Sequence, residues 1–260
     1  MNNKIAMSTL RGVSVNKSVD FAVECGFSGI EIQTDYLLED VEEQNKSLEY
    51  AAKNGLTVSL HAPCGDINIS ALNRGIRRES VSQVKQAIDL AEVNGVRVVT
   101  FHPGRLSSAR ENIEDKWRVL LDAVYEIAEY AKEKKVYVAI ENMEFRKKEV
   151  VYTVDDLNRF ENIGENNPYF GVTLDFSHFA TNKIYAPEIS ELKLPVYNVH
   201  LSQCVNRKPH CPLYEDGEIE INDIQKIIDA CGYESVIVLE LKSVFEKDIY
   251  IKSREFLLNS

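Results

Sequence analysis

The chain has 260 residues, 44% of them apolar and 27% charged, with a formal net charge of −11. No apolar stretch approaches the roughly 18 residues needed to cross a bilayer, so a membrane-spanning role is excluded, and the acid excess works against a broad grip on a polyphosphate backbone, which depends on Lys and Arg displacing counterions. The N-terminus MNNKIAMSTLRG lacks the apolar centre and cleavage site of a secretory signal, and five cysteines without regular spacing read as reduced thiols, so a cytoplasmic location is expected.

Short apolar runs alternate with longer amphipathic stretches from end to end. KIAMSTL (4–10) precedes a helical pattern from Ser14 to Cys25 that Gly26 closes. GIEIQTD (29–35) leads to a helix ending at Asn54 and Gly55, and LTVSLHAP (56–63) leads through a loop to a helix from about Gly75 to Asn94. VRVVTFHPG (96–104) precedes a long helix reaching about Lys135, with Trp117, Tyr125 and Tyr130 read as packing residues. VYVAIENME (136–144), FGVTLDFSHFA (170–180), VYNVHLSQ (196–203) and SVIVLELKS (235–243) complete the set, each followed by a helical segment. Eight strand-helix units with Val/Ile/Leu-rich strands predict parallel strands covered on both faces, and hence a (β/α)8 TIM barrel. An open doubly wound sheet fits less well, because LRGVSVN and not a glycine-rich phosphate loop follows the first run. No low-complexity linker divides the chain, so residues 1–260 are expected to form one domain.

In such a barrel the chemistry gathers at the C-terminal ends of the strands. His61 ends the third run, His102 the fourth, Glu141 the fifth, Asp175 and His178 the sixth, His200 the seventh and Glu240 the eighth; His210 lies in the loop after the seventh. A lone histidine of this kind reads as a hydrogen-bonded packing residue. Five of them with three carboxylates on one rim do not, since burying so many ionisable groups is costly without a cation or mutual pairing. Imidazole and carboxylate donors suit Zn²⁺, Mn²⁺ or Fe²⁺. Glu141, Asp175, His200 and Glu240 can surround a point on the barrel axis, and His61 with His102 can complete a second site that shares Glu141. Glu31, at the end of the second run, reads as a structural partner for a neighbouring basic side chain. Cys204 and Cys211 lack an adjacent histidine base in a nucleophile arrangement.

Taken in order, "HAP" (61–63), "DINIS" (66–70), "RRESV" (77–81), "FHPG" (101–104), "IEN" (140–142), "LDFSH" (174–178), "VHLSQ" (199–203), "HCPLYEDGEIE" (210–220) and "LEL" (239–241) resemble the xylose-isomerase-like barrel superfamily through nearly the whole chain. That superfamily holds sugar and sugar-phosphate isomerases and epimerases alongside endonuclease IV-type enzymes acting on abasic DNA. Its isomerase branch implies one divalent metal on Glu141, Asp175, His200 and Glu240. The two glutamates also serve as acid and base, and His178, His210 and Arg207 contact substrate.

The nuclease branch implies one zinc on His61, His102 and Glu141, a second on the four-residue set, and a third on His178 and an Asp-x-His triplet. Here that triplet reads Lys208-Pro209-His210, and Cys64 stands where the nucleases carry a DNA-contacting tyrosine. The expectation is therefore a sugar or sugar-phosphate isomerase or epimerase working through an enediolate, with one or two divalent ions, Zn²⁺ or Mn²⁺, per chain. The alternative is a zinc phosphodiesterase acting on abasic DNA or a related phosphate ester, with nucleic acid disfavoured by the acid excess. A barrel that binds a ligand without catalysis is a third reading, which the complete carboxylate set opposes.

Overall fold

Eight parallel strands close into a barrel in the computed structural model, which describes residues 4–36, 40–184, 186–242 and 246–260. The first seven are β1 (Ile5–Ser8), β2 (Gly29–Gln33), β3 (Thr57–His61), β4 (Val98–Phe101), β5 (Tyr137–Glu141), β6 (Phe170–Asp175) and β7 (Val196–Leu201). An antiparallel hairpin, β8 (Gln203–Val205) and β9 (Lys208–Cys211), stands outside the barrel, and β10 (Ile237–Leu239) closes it by pairing with both β7 and β1.

Helices α1 (Val15–Glu24), α2 (Val41–Lys53), α3 (Arg74–Asn94) and α4 (Ile113–Lys134) follow the first four strands. Short pairs follow the next two: α5 (Val154–Asn158) and α6 (Glu161–Asn166), then α7 (Phe176–Thr181) and α8 (Ala186–Ile189). Helices α9 (Ile221–Ala230) and α10 (Lys247–Leu258) complete the outer ring. Among the described residues no helix is long and apolar enough to cross a membrane.

Local chemistry sets the helix ends. Ser14 accepts from the Lys17 amide, Asn73 from the Gly75 and Ile76 amides, and Asn112 from the Glu114 amide, each satisfying first-turn donors that have no helical partner. α3 stops at Gly95, whose φ of 66° is the left-handed cap that glycine adopts without a Cβ clash. The inner stripe of α4, Leu120, Val124, Ile127 and Ala131, is fully buried against the strands, the three- and four-residue spacing of one helix face. Gly171 in β6 is required by packing: a Cβ there would run into the Pro195 carbonyl and the Tyr197 ring.

Three expectations change. The eighth barrel strand covers three residues and not 235–243, of which Ser243 lies outside the described residues. The loop after the seventh strand contains the β8–β9 hairpin. Tyr125 does not pack on the barrel: it is 58% exposed, because it falls on the outer face of α4. Trp117 is buried beneath the Arg159 guanidinium, and Tyr130, half-buried, donates to Asp89 at 2.6 Å.

Candidate metal centre and active site

Strand alternation stacks two polar layers inside the barrel, since residues i and i+2 face the same way. The lower layer holds Glu31, Ser59, Thr100, Thr173 and Asn198, linked by hydrogen bonds from Ser59 and Asn198 to Glu31, from Asn198 to Thr100, and between Thr100 and Thr173. Two residues further along the chain, at the mouth, stand His61 of β3, His102 just past β4, Asp175 of β6 and His200 of β7. Glu141 ends β5 and Glu240 follows β10. The register sets Asp175 opposite His200 and Glu141 opposite Thr173.

Glu141 is the hub of this layer. Its Oε2 lies 3.3 Å from His61 Nε2 and 3.1 Å from His102 Nε2, and its Oε1 lies 3.1 Å from His200 Nδ1. The His61 Nδ1–H donates to the Ala62 carbonyl at 2.7 Å, which leaves Nε2 facing the carboxylate. Potential ligand atoms of Glu141, Asp175, His200 and Glu240 all lie within 4.8 Å of one another, and so do those of His61, His102 and Glu141. Six of the residues expected from the sequence to hold metal thus converge on two adjoining points with Glu141 between them.

The donor set fits a cation. Asp175 uses Oδ1 to accept from Ser177 Oγ and the His178 amide, both at 2.8 Å, while its buried Oδ2 has no hydrogen-bond partner. Glu240 Oε2 is 2.8 Å from His200 Nδ1, yet off the geometry of a hydrogen bond, so it too is left unsatisfied. Buried carboxylate oxygens without donors are costly, and two aimed at a common point with an imidazole nitrogen are relieved by a shared positive ion.

Charge coupling holds these groups in opposite ionisation states. Burial opposes the charged form of Glu141, but His200, His102 and His61 overcome it and pull its pKa well below the usual carboxylate range. Glu240 is lowered likewise, chiefly by His200 against burial. Burial would neutralise His200, yet Glu31, Glu141 and Glu240 hold it well above the ordinary imidazole value, and for His61 burial is outweighed by Glu141, which raises it to about 9.

A third cluster adjoins the first two. His178 Nδ1–H donates to the Asn142 carbonyl at 2.8 Å and His210 Nδ1–H donates to the Glu240 carbonyl at 3.0 Å. Their Nε2 atoms therefore face each other, 3.2 Å apart, with Asp175 Oδ2 at 3.6 Å from His178 Nε2. Two imidazole lone pairs at that separation need a proton, a cation or a substrate hydroxyl to reconcile them. The hairpin aims these groups by adopting left-handed backbone at Asn206, Arg207 and His210, with φ of 51°, 61° and 62°. Such conformations cost about 1–2 kcal/mol each in non-glycine residues. Arg207 Nε donates to the Thr181 carbonyl at 3.1 Å and its guanidinium lies 5.6 Å from the Phe145 ring centre.

Above the centre opens a cavity of about 820 Å³ lined by Arg11, Arg146, Arg207, Lys208 and Lys242 against only Glu144 and Glu240. In a chain with 41 acidic and 30 basic residues, that cation-rich mouth is a local reversal of charge. Arg146 is paired to Glu144 at 2.6 Å. Cys64 and Cys204 are poor nucleophiles: burial first, then Asp35 for Cys64 and Glu218 for Cys204, push both thiols up to about 12.

One positioning residue, Asn142, escaped the sequence reading, and another, Glu31, was expected only as a structural partner. Asn142 clamps β5 to β6 by donating to the Asp175 carbonyl at 2.8 Å and accepting from the Asp175 amide at 2.9 Å. Glu31 reaches the interior, where its Oε1 lies 2.8 Å from His200 Nε2. The basic partner expected for Glu31 is thus a histidine of the centre itself.

Comparison with known proteins agrees with this architecture. The family model described as xylose isomerase-like TIM barrel matches residues 19–260. A crystal structure of a D-tagatose 3-epimerase-like protein superposes with a TM-score of 0.87 at 23% identity, covering 98% of this chain and 96% of the other. D-Psicose 3-epimerase with D-tagatose from Clostridium cellulolyticum H10 superposes at 0.82 with 15% identity, covering 98% and 97%. Among sequence relatives, an uncharacterized protein of Methanocaldococcus jannaschii is 28% identical over 189 residues, which span 71% of this chain and 66% of that protein. A second from the same organism is 22% identical over 258 residues, 98% and 99% of the two chains.

Proposed function

The chain belongs to the xylose isomerase-like TIM barrel family, and from that premise we propose that it is a metal-dependent isomerase or epimerase acting on a sugar or sugar phosphate. The observation that carries this reading is the pair Glu141 and Glu240, two ionised carboxylates from different strands, each with an oxygen near His200 Nδ1. A divalent ion, Zn²⁺ or Mn²⁺, held by Glu141, Asp175, His200 and Glu240 would polarise a substrate carbonyl and acidify the neighbouring C–H. One glutamate takes that proton on one face of the carbon, and the other, which must have picked up a proton from solvent before the enediolate forms, returns it on the opposite face. Glu240, whose side chain is 18% exposed, reaches toward the mouth, whereas Glu141 is 1% exposed and stands deeper. Carboxylates kept ionised near neutral pH are available as bases. His178 and Arg207 orient substrate oxygens, and His210 covers the same mouth from the hairpin.

The D-tagatose 3-epimerase-like and D-psicose 3-epimerase neighbours support a ketose as the substrate class. The cationic mouth favours a phosphate ester over a neutral sugar, because Arg and Lys form charge-assisted hydrogen bonds with phosphate oxygens. One specific observation favours a second reading: His61 and His102 make a further ligand set with Glu141, an arrangement suited to two-ion hydrolysis of a phosphodiester.

Incubation of metal-loaded protein in deuterated water with ketoses and ketose phosphates tests the choice. Deuterium entering the carbon beside the carbonyl, with an epimer or isomer accumulating, is the expected result. Zinc-dependent cleavage of an abasic duplex, lost in His102→Ala and without any such exchange, would replace this reading by the second.

A further inference from the structure

Glu31 is 1% exposed in the middle of the barrel, where an ionised carboxylate is costly unless donors or a positive group compensate it. Its two oxygens are engaged separately. Oε2 accepts from Ser59 Oγ at 3.0 Å and from Asn198 Nδ2 at 2.6 Å. Asn198 is tied in turn to Thr100 at 2.9 Å, and Thr100 to Thr173 at 2.8 Å, so side chains from four other strands fix the carboxylate. Oε1, thus aimed, lies 2.8 Å from His200 Nε2.

A carboxylate only accepts, so Glu31 keeps a hydrogen on His200 Nε2. The other neighbour of Nε2, Asn198 Nδ2 at 3.2 Å, already donates to Glu31 and Thr100; the hydrogen that an ion displaces is then the one on Nδ1. Nδ1 is the nitrogen that faces Glu141 and Glu240, at 3.1 and 2.8 Å. We propose that Glu31 is a positioning residue for the metal centre, fixing the tautomer and ring plane of His200 so that Nδ1 is presented to the ion. A negative partner on the far side of a ligating imidazole also makes the ring a stronger donor. The assignment rests on the four-residue set holding a cation, as in the function proposed above. It adds that the set is pre-formed from below by a residue that touches neither ion nor substrate.

The test compares wild type with Glu31→Ala and Glu31→Gln for zinc affinity, by chelator competition, and for the visible spectrum of the cobalt-loaded protein, which reports ligand geometry. Glu31→Ala is expected to weaken zinc binding by about 10–100-fold and to alter the cobalt bands. Glu31→Gln, which keeps the shape and can still accept from Nε2, falls between, and it carries the test if the alanine variant fails to fold. In a His200→Ala background the Glu31 substitutions have no further effect on affinity, because they act through the imidazole. Wild-type affinity and spectrum in both Glu31 variants, with only a lowered melting temperature, would overturn the assignment and leave the proposed function standing. An undiminished Glu31 effect in the His200→Ala background would overturn it too. A wild-type protein that captures neither zinc nor cobalt would remove both.

Discussion

Replacing Glu141 by Gln removes one negative charge and one ligand oxygen from the residue that two of the three mouth clusters share. The carboxylate stands 3.1 to 3.3 Å from His61, His102 and His200, and 3.6 Å from His178 Nδ1. A glutamine must turn an amide NH₂ toward either the His61–His102 pair or His200, so one of the two ligand sets loses its oxygen whichever way the side chain lies. As a general base, Glu141 is worth about 10²–10⁴ in rate, or about 3–5.5 kcal/mol of barrier.

The assay is deuterium exchange into substrate, followed by NMR on protein whose metal content has been measured in the same sample. Glu141→Gln is expected to lose at least a hundredfold in exchange rate even where the ion of the four-residue set is retained. Exchange within about threefold of wild type, at equal metal content, would refute the assignment of Glu141 as acid or base.

Other consequences are as direct. With its pKa near 9, His61 is protonated at neutral pH in metal-free protein, as is His200, and an ion must displace those protons. Affinity therefore rises with pH, about tenfold per unit for each proton displaced; a flat profile in chelator competition from about pH 6 to about pH 9 would contradict this. His102→Ala is expected to remove the ion bridged by the histidine pair while leaving that of the four-residue set, so elemental analysis of zinc-saturated protein should show one ion fewer per chain. Replacing Arg207 and Lys208 by Met should raise KM for a ketose phosphate by about 10–100-fold, as expected for lost charge-assisted contacts, with little change for the unphosphorylated sugar.

The order of elements was legible in the sequence because parallel barrel strands, covered on both faces, appear as unbroken apolar runs whose polar residues collect at one end. That placed His61, His102, Glu141, Asp175, His200 and Glu240 on a single rim, where the structure brings their side chains together. What lay a layer deeper was harder to see. Glu31 stands in an otherwise apolar run and its partner is 169 positions away in sequence, so no local spacing joins the two. A signal was nonetheless present. Ser59, Thr100, Thr173 and Asn198 each precede a mouth residue by two positions, and Glu31 completes that inward-facing ring.

The hairpin escaped because β8 and β9 are three and four residues long and one reads Lys-Pro-His-Cys, with none of the alternation that marks a strand. Its two-residue turn at Asn206 and Arg207 has left-handed backbone at both positions, which asparagine favours and arginine does not. The exposure of Tyr125 reflects the angular position of one residue on a long helix, which composition alone does not fix.

The central claim is that a cation is captured at the mouth by imidazole and carboxylate atoms from consecutive strands. Anomalous diffraction from crystals equilibrated with zinc or manganese addresses it most directly. A peak within bonding distance of His200 Nδ1, Asp175 Oδ2, Glu141 and Glu240 is the predicted result, and the absence of any peak there with either ion would contradict the account.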